Sequence, residues 1–177
     1  NSDQTLDGSR AYFAAAQAAL GRDTAGPVSF TVTHGAGTLS CTGTLTRAFE
    51  GKGECRFTSD PGFERELSER GLAPDRRSTL LAMLMVDATI DLADGLTAEG
   101  VRPTDAEDLI AAAALDVRPD YIRELKSEAL VLTDMEDAIA CKALGVDGAY
   151  VRQLAAAGYR KLSAEEVVSM KAMGVTG

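Results

Sequence analysis

The second half of this chain matches itself, without a gap, at an offset of 29 residues, and few folds accommodate such a pattern. Asp105 aligns with Asp134 and Ser163, Glu107 with Glu136 and Glu165, Asp108 with Asp137 and Glu166, and Leu115 with Leu144 and Met173. In the other half of the unit Leu92 aligns with Tyr121 and Tyr150, Arg123 with Arg152, and Gly100 with Ala129 and Gly158. Between residues 105–133 and 134–162, 11 of 29 positions are identical. Unrelated sequence of this composition would match at roughly one position in fifteen. Each unit opens on a polar cap followed three residues later by an acid, the spacing that satisfies free amide donors at a helix start. A second helix carries Tyr150, Val151 and Leu154 on one apolar stripe and closes at Gly158. Helices of about three turns are marginal alone, so successive units must stack and share a core, as in α-solenoids. The units run near 76–104, 105–133 and 134–162, with a half-unit at 163–177. In the first of them Leu80, Leu81, Leu84 and Met85 are more apolar than the later copies, as a unit abutting a different structure requires.

That different structure is read from residues 1–74. Leu6 to Leu20 has the spacing of an opening helix, with Asp7 or Ser9 as cap and Tyr12, Phe13, Ala16 and Leu20 on one face. The period then changes to two: the segments starting at Val28, Thr38 and Gly53 alternate apolar and polar residues and are rich in Thr, Val and Phe. Gly35-Ala-Gly and Glu50-Gly-Lys-Gly are the expected hairpin turns. The result is a three-stranded antiparallel meander, which needs a cover to be stable in water. The opening helix and a second one from Pro61 to Arg70, capped by Asp60 and stopped by Gly71, are the expected cover. The fold class is therefore α+β: a sheet domain at 1–74 and a helical repeat domain at 75–177.

Charge narrows the function. The net charge is −9, from 18 basic and 27 acidic residues, so the surface repels phosphate backbones and nucleic acid is not an expected partner. From Asp75 onward 18 acids face 11 bases, which favours a basic or apolar partner on the repeats. One histidine and three cysteines are too few for a zinc or haem site, so no cofactor and no metal is expected. The apolar runs are too short to span a bilayer. No basic and apolar leader is visible at Asn1, which fits a processed export signal or a trimmed terminus. Cys41 and Cys55 fall in adjacent strands, where a cross-strand disulfide is geometrically allowed; the alternative is a pair of small core residues. A bridge implies an oxidising compartment such as a bacterial periplasm, and free thiols a cytosolic one. The extracytoplasmic reading is the one adopted.

The stretch Leu144-Gly-Val-Asp-Gly-Ala-Tyr-Val-Arg-Gln-Leu-Ala-Ala-Ala-Gly-Tyr, followed by Leu162-Ser-Ala-Glu-Glu-Val, resembles helical repeats of bacterial proteins. These occur in soluble extensions of membrane-anchored regulators, some related to β-lactam sensor metallopeptidases, and in small envelope proteins. Such repeats often follow a β segment resembling Gly37-Thr-Leu-Ser-Cys-Thr-Gly-Thr-Leu and Phe57-Thr-Ser-Asp-Pro-Gly-Phe, so the resemblance covers about residues 28 to 177. It implies the fold and a bacterial source; its members share no single reaction. The peptidase's His-Glu-x-x-His pair is absent, because His34 is the single histidine.

Few residues suggest chemistry. His34 with Cys41 or Cys55 could form a base and thiol nucleophile of a small hydrolase or thiol enzyme, but His34 sits beside a hairpin turn and no second motif supports it. The acidic pairs Glu107/Asp108, Glu136/Asp137 and Glu165/Glu166 stand at capping positions, where a structural role predicts them. Tyr121, Arg123, Tyr150 and Arg152 repeat at equivalent places and are the candidate binding residues, against a structural reading in which the tyrosines pack between units and the arginines pair with acids. The expected function is non-enzymatic: an interaction or regulatory domain holding a protein or peptide on its repeat surface. A thiol enzyme and a structural envelope protein are the alternatives.

Overall fold

The structure is a computed structural model describing residues 14–21 and 25–176. The fold is α+β. Along the chain run α1 (Ala14–Leu20), β1 (Gly26–His34), β2 (Gly37–Arg47), β3 (Glu50–Ser59), α2 (Pro61–Glu69), α3 (Arg77–Met85), α4 (Ile90–Ala98), α5 (Ala106–Leu115), α6 (Pro119–Ser127), α7 (Met135–Ala143), α8 (Gly148–Ala156) and α9 (Ala164–Ala172). The part of the opening helix expected from Leu6 to Phe13 lies outside the described residues. Two compact units form: Asn1–Arg65 with Asp75–Asp87, and Glu66–Pro74 with Ala88–Gly177. This division departs from the boundary expected after residue 74.

In the first unit the strands form one antiparallel sheet in the order β1-β2-β3. Register pairs Val32 with Leu39 and Phe57, and Phe30 with Cys41 and Cys55, so a period of two puts all six on one face. Val32, Leu39, Cys41 and Leu45 are buried there. The opposite face carries Ser29, Thr31, Ser40, Thr42, Lys52, Glu54 and Arg56, all exposed. The second hairpin turns at Ala48 and Phe49, and Gly51 and Gly53 belong to β3 instead of to the turn. Their role is close approach: a Cβ on Gly43 would lie 2.3 Å from the Lys52 carbonyl oxygen, and one on Gly53 would lie 2.4 Å from that of Thr42.

The cover also differs from expectation. α1 packs on β1, while α3 packs on β2 and β3, its Leu80, Met83 and Leu84 buried and the Arg77 guanidinium donating to the Phe57 carbonyl. The first turn of α2 also serves the sheet. Asp60 caps it by accepting from Phe63 N at 2.9 Å, the Asp60 amide donates to the Ala36 carbonyl, and Phe63 lies against Gly35.

The second unit is helical. α4, α6 and α8 begin at 90, 119 and 148, and α5, α7 and α9 at 106, 135 and 164, successive offsets of 29. Asp105, Asp134 and Ser163 each cap a first helix by accepting from the amide three residues on. The Ser163 and Glu166 pair is a reciprocal capping box. Second helices end through residues of positive φ at Gly100, Ala129 and Gly158, first helices at Asp116, Gly145 and Gly174. α5 packs on α7 and α7 on α9, as α4 does on α6 and α6 on α8. Leu96, Leu109, Ile122, Leu125 and Leu154 are fully buried along this stack. Each such side chain contributes about 2 kcal/mol, which nine-residue helices lack in isolation.

Candidate functional site

Cys41 and Cys55 stand directly opposite each other in the β2–β3 register and are joined in a disulfide. With both sulfurs bonded, neither is available as the nucleophile that a thiol enzyme would need. His34 is not solvent-facing: its side chain is 14% exposed and its Nδ1 lies 3.6 Å from Asp87 Oδ1. The third cysteine, Cys141, is buried, and burial together with the nearby Asp137 pushes its thiol up to about 11. It is an inert packed group at neutral pH. Among the described residues no group of His, Cys, Asp or Glu is arranged to hold a metal ion.

The proposed Tyr and Arg ladder divides into two parts. Tyr121 and Tyr150 are 7% and 4% exposed. Their hydroxyls donate to the carbonyls of Val146 at 2.5 Å and Val175 at 2.6 Å, each 25 residues further on. Lys142 and Lys171 sit over the rings, with Nζ 4.6 Å from each centroid. The rings are internal because they lie one turn before Leu125 and Leu154, on the same apolar stripe. Burial pushes both phenols above their ordinary range. Arg123 and Arg152 remain at the surface, paired to Glu99 at 2.7 Å and Glu128 at 2.6 Å, acids 24 residues earlier.

Sequence comparison missed a third member of this row. Asp94 stands where Arg123 and Arg152 stand, Arg70 stands where Glu99 and Glu128 stand, and the two pair at 2.6 Å. The hydrogen bond to Asp94 raises the Arg70 guanidinium, and the same bond holds the Asp94 carboxyl below its usual range. The repeat expected from about Arg76 onward has an earlier partial copy. Pro61, Phe63, Leu67 and Leu72 match Pro119, Tyr121, Leu125 and Leu130 at twice the 29-residue offset, and this signal would have placed the end of α2 beside α4.

The charges of the second unit are unevenly used. Its segments contain 18 acids and 10 bases. Arg70, Arg118, Arg123 and Arg152 are in ion pairs. Lys126 and Arg102 donate to the carbonyls of Glu99 and Arg70, and two lysines cover the tyrosines. Among the described residues the acids at the starts of α5, α7 and α9 receive no such neutralisation: Glu107, Glu136 and Glu165 are exposed and enter no ion pair there. Asp137 shows the consequence: burial first, then the negative charges of Asp134, Glu136 and Glu165, raise its carboxyl above the ordinary value. α7 packs on α9, which brings Glu165 within electrostatic reach of Asp137.

Among the described residues no helix is long and apolar enough to cross a membrane. No family model matches this chain, and no curated protein or solved structure matches it.

Proposed function

We propose that this chain is a non-enzymatic interaction domain that holds a basic segment of a protein or peptide along the acidic starts of α5, α7 and α9. The observation that carries the reading is the uneven use of charge in the second unit. Eight of its ten bases are engaged by ion pairs, hydrogen bonds or aromatic rings, while among the described residues Glu107, Glu136 and Glu165 face outward and enter no ion pair. Stacked helices present such a row on a rigid support, and a basic partner relieves the mutual repulsion that Asp137 registers. The Cys41–Cys55 disulfide supports a place in an oxidising extracytoplasmic compartment. The resemblance to repeats of bacterial membrane-anchored regulators supports a regulatory setting.

The test uses a fluorescent Lys- and Arg-rich peptide and an acidic control of equal length. The basic peptide binds at low salt, and binding weakens as salt rises. Glu107→Gln with Glu136→Gln weakens it by about tenfold, because the two side chains are solvent-facing charges outside the capping positions. Equal binding of both peptides, or no effect of the double variant, overturns the reading.

A further inference from the structure

We propose that a second copy of this chain docks on β3, edge to edge and antiparallel about a two-fold axis through Gly53. In the order β1-β2-β3 the outer side of β3 is a sheet edge. The Cα atoms of Cys41 and Cys55, directly opposite each other, are 4.0 Å apart. So short a spacing marks a pair whose backbone groups point away from each other, since hydrogen-bonded antiparallel pairs stand about 5.5 Å apart. The Cys55 amide and carbonyl therefore face outward, and so, at alternate residues of an unbroken register, do those of Gly51, Gly53 and Phe57. The carbonyls of Lys52 and Thr58 lie against Gly43 and Gly37 of β2, as this alternation requires. The Phe57 carbonyl accepts from the Arg77 guanidinium. Among the described residues no hydrogen bond engages the outward groups of Gly51, Gly53 and Cys55, so this stretch of the edge is open to another strand.

The polar face of β3 sets the partner and its register. Glu50, Lys52, Glu54 and Arg56 alternate in sign along that face, and all four are exposed. Glu50 pairs with Arg47, whereas among the described residues Lys52, Glu54 and Arg56 enter no ion pair. An axis at Gly53 sets Lys52 of each copy opposite Glu54 of the other, and Arg56 opposite Glu50, so every facing pair of charges attracts. The same axis pairs the outward groups of Gly53 with Gly53 and of Gly51 with Cys55, which completes the ladder. Moving the axis to Lys52 or to Glu54 sets like charges against each other, and moving it to Gly51 or Cys55 keeps one kind of attractive pair and loses the other. Charge thus selects a second copy in a single register. The shared edge is short beside a standard interface, so the dimer is weak and concentration-dependent.

The test is sedimentation velocity on the whole chain from about 10 μM to about 1 mM, the range in which small interfaces associate. The weight-average sedimentation coefficient rises with concentration. Lys52→Glu and Glu54→Lys each weaken association by about tenfold, because each change turns two attractive pairs of the dimer into repulsive ones. The double variant restores it, since the exchanged charges again face each other. Circular dichroism shows the fold intact in all three, as these side chains are exposed and make no ion pair within the described residues. A chain that stays monomeric throughout, a dimer that both reversals leave unchanged, or a double variant that fails to restore association overturns the proposal.

Discussion

Arg70 and Asp94 make the contact that Glu99 makes with Arg123 and Glu128 with Arg152, with the two charges exchanged. Each pair spans 24 residues and ties the end of one second helix to the middle of the next. A complementary exchange of this kind preserves attraction while changing both residue types. Arg70→Asp and Asp94→Arg should each lower the melting temperature, and the double exchange should recover most of the loss. A double-mutant cycle by thermal unfolding checks this, and additive losses would show that the two do not interact.

Tyr121→Phe should cost about 1 kcal/mol in urea unfolding, because the Val146 carbonyl is left in a buried setting without its donor. Tyr150→Phe should cost less. Val175 is half-exposed, so water can take over the lost bond there.

Ala129 occupies a left-handed position, φ 64°, that Gly71, Gly100 and Gly158 fill in the other units. Ala129→Gly should stabilise the protein by about 1 kcal/mol, since the Cβ penalty of the left-handed region exceeds the entropy that glycine adds to the unfolded chain. Chemical denaturation measures it, and a loss of stability would contradict the argument.

Thiol titration of the folded protein at about pH 8 should find no fast-reacting group, because Cys41 and Cys55 are bonded and Cys141 is buried with a raised thiol. Unfolding should release one thiol. Replacing Cys41 and Cys55 by serine should cost about 3 kcal/mol, the loop-closure effect for cysteines 14 residues apart.

Asp137 is raised in the folded state by burial and by its acidic neighbours, so the folded chain binds its proton more readily than the unfolded chain does. Its contribution is therefore most favourable below the ordinary carboxylate pKa and is lost as pH rises through the raised value. Asp137→Asn should stabilise the protein at neutral pH by on the order of 0.3 kcal/mol, the scale of like-charge pairs on helices. That advantage should shrink as pH falls, and melting curves across the acidic range test the sign.

Local patterns were legible in the sequence wherever the deciding contacts are near in the chain. The α+β class, the antiparallel meander, the Asp60 cap of α2 and the caps at Asp105, Asp134 and Ser163 follow from side-chain period and from amides three residues away. The second hairpin was misplaced because Gly51 and Gly53 carry turn chemistry. Their use inside a strand depends on how closely the facing backbone approaches.

By itself the sequence determined the order of strands and helices, the starts of the capped helices at Pro61, Ala106, Met135 and Ala164, and that the helical half is acidic, because these depend on dihedral preference, capping spacing and formal charge. Only the tertiary structure decided which helix covers the sheet, that Tyr121 and Tyr150 face inward, and that Arg123 and Arg152 are already paired. The reason is that burial and pairing depend on what another segment, some 24 residues or more away in the chain, places opposite a side chain, and no local pattern records it.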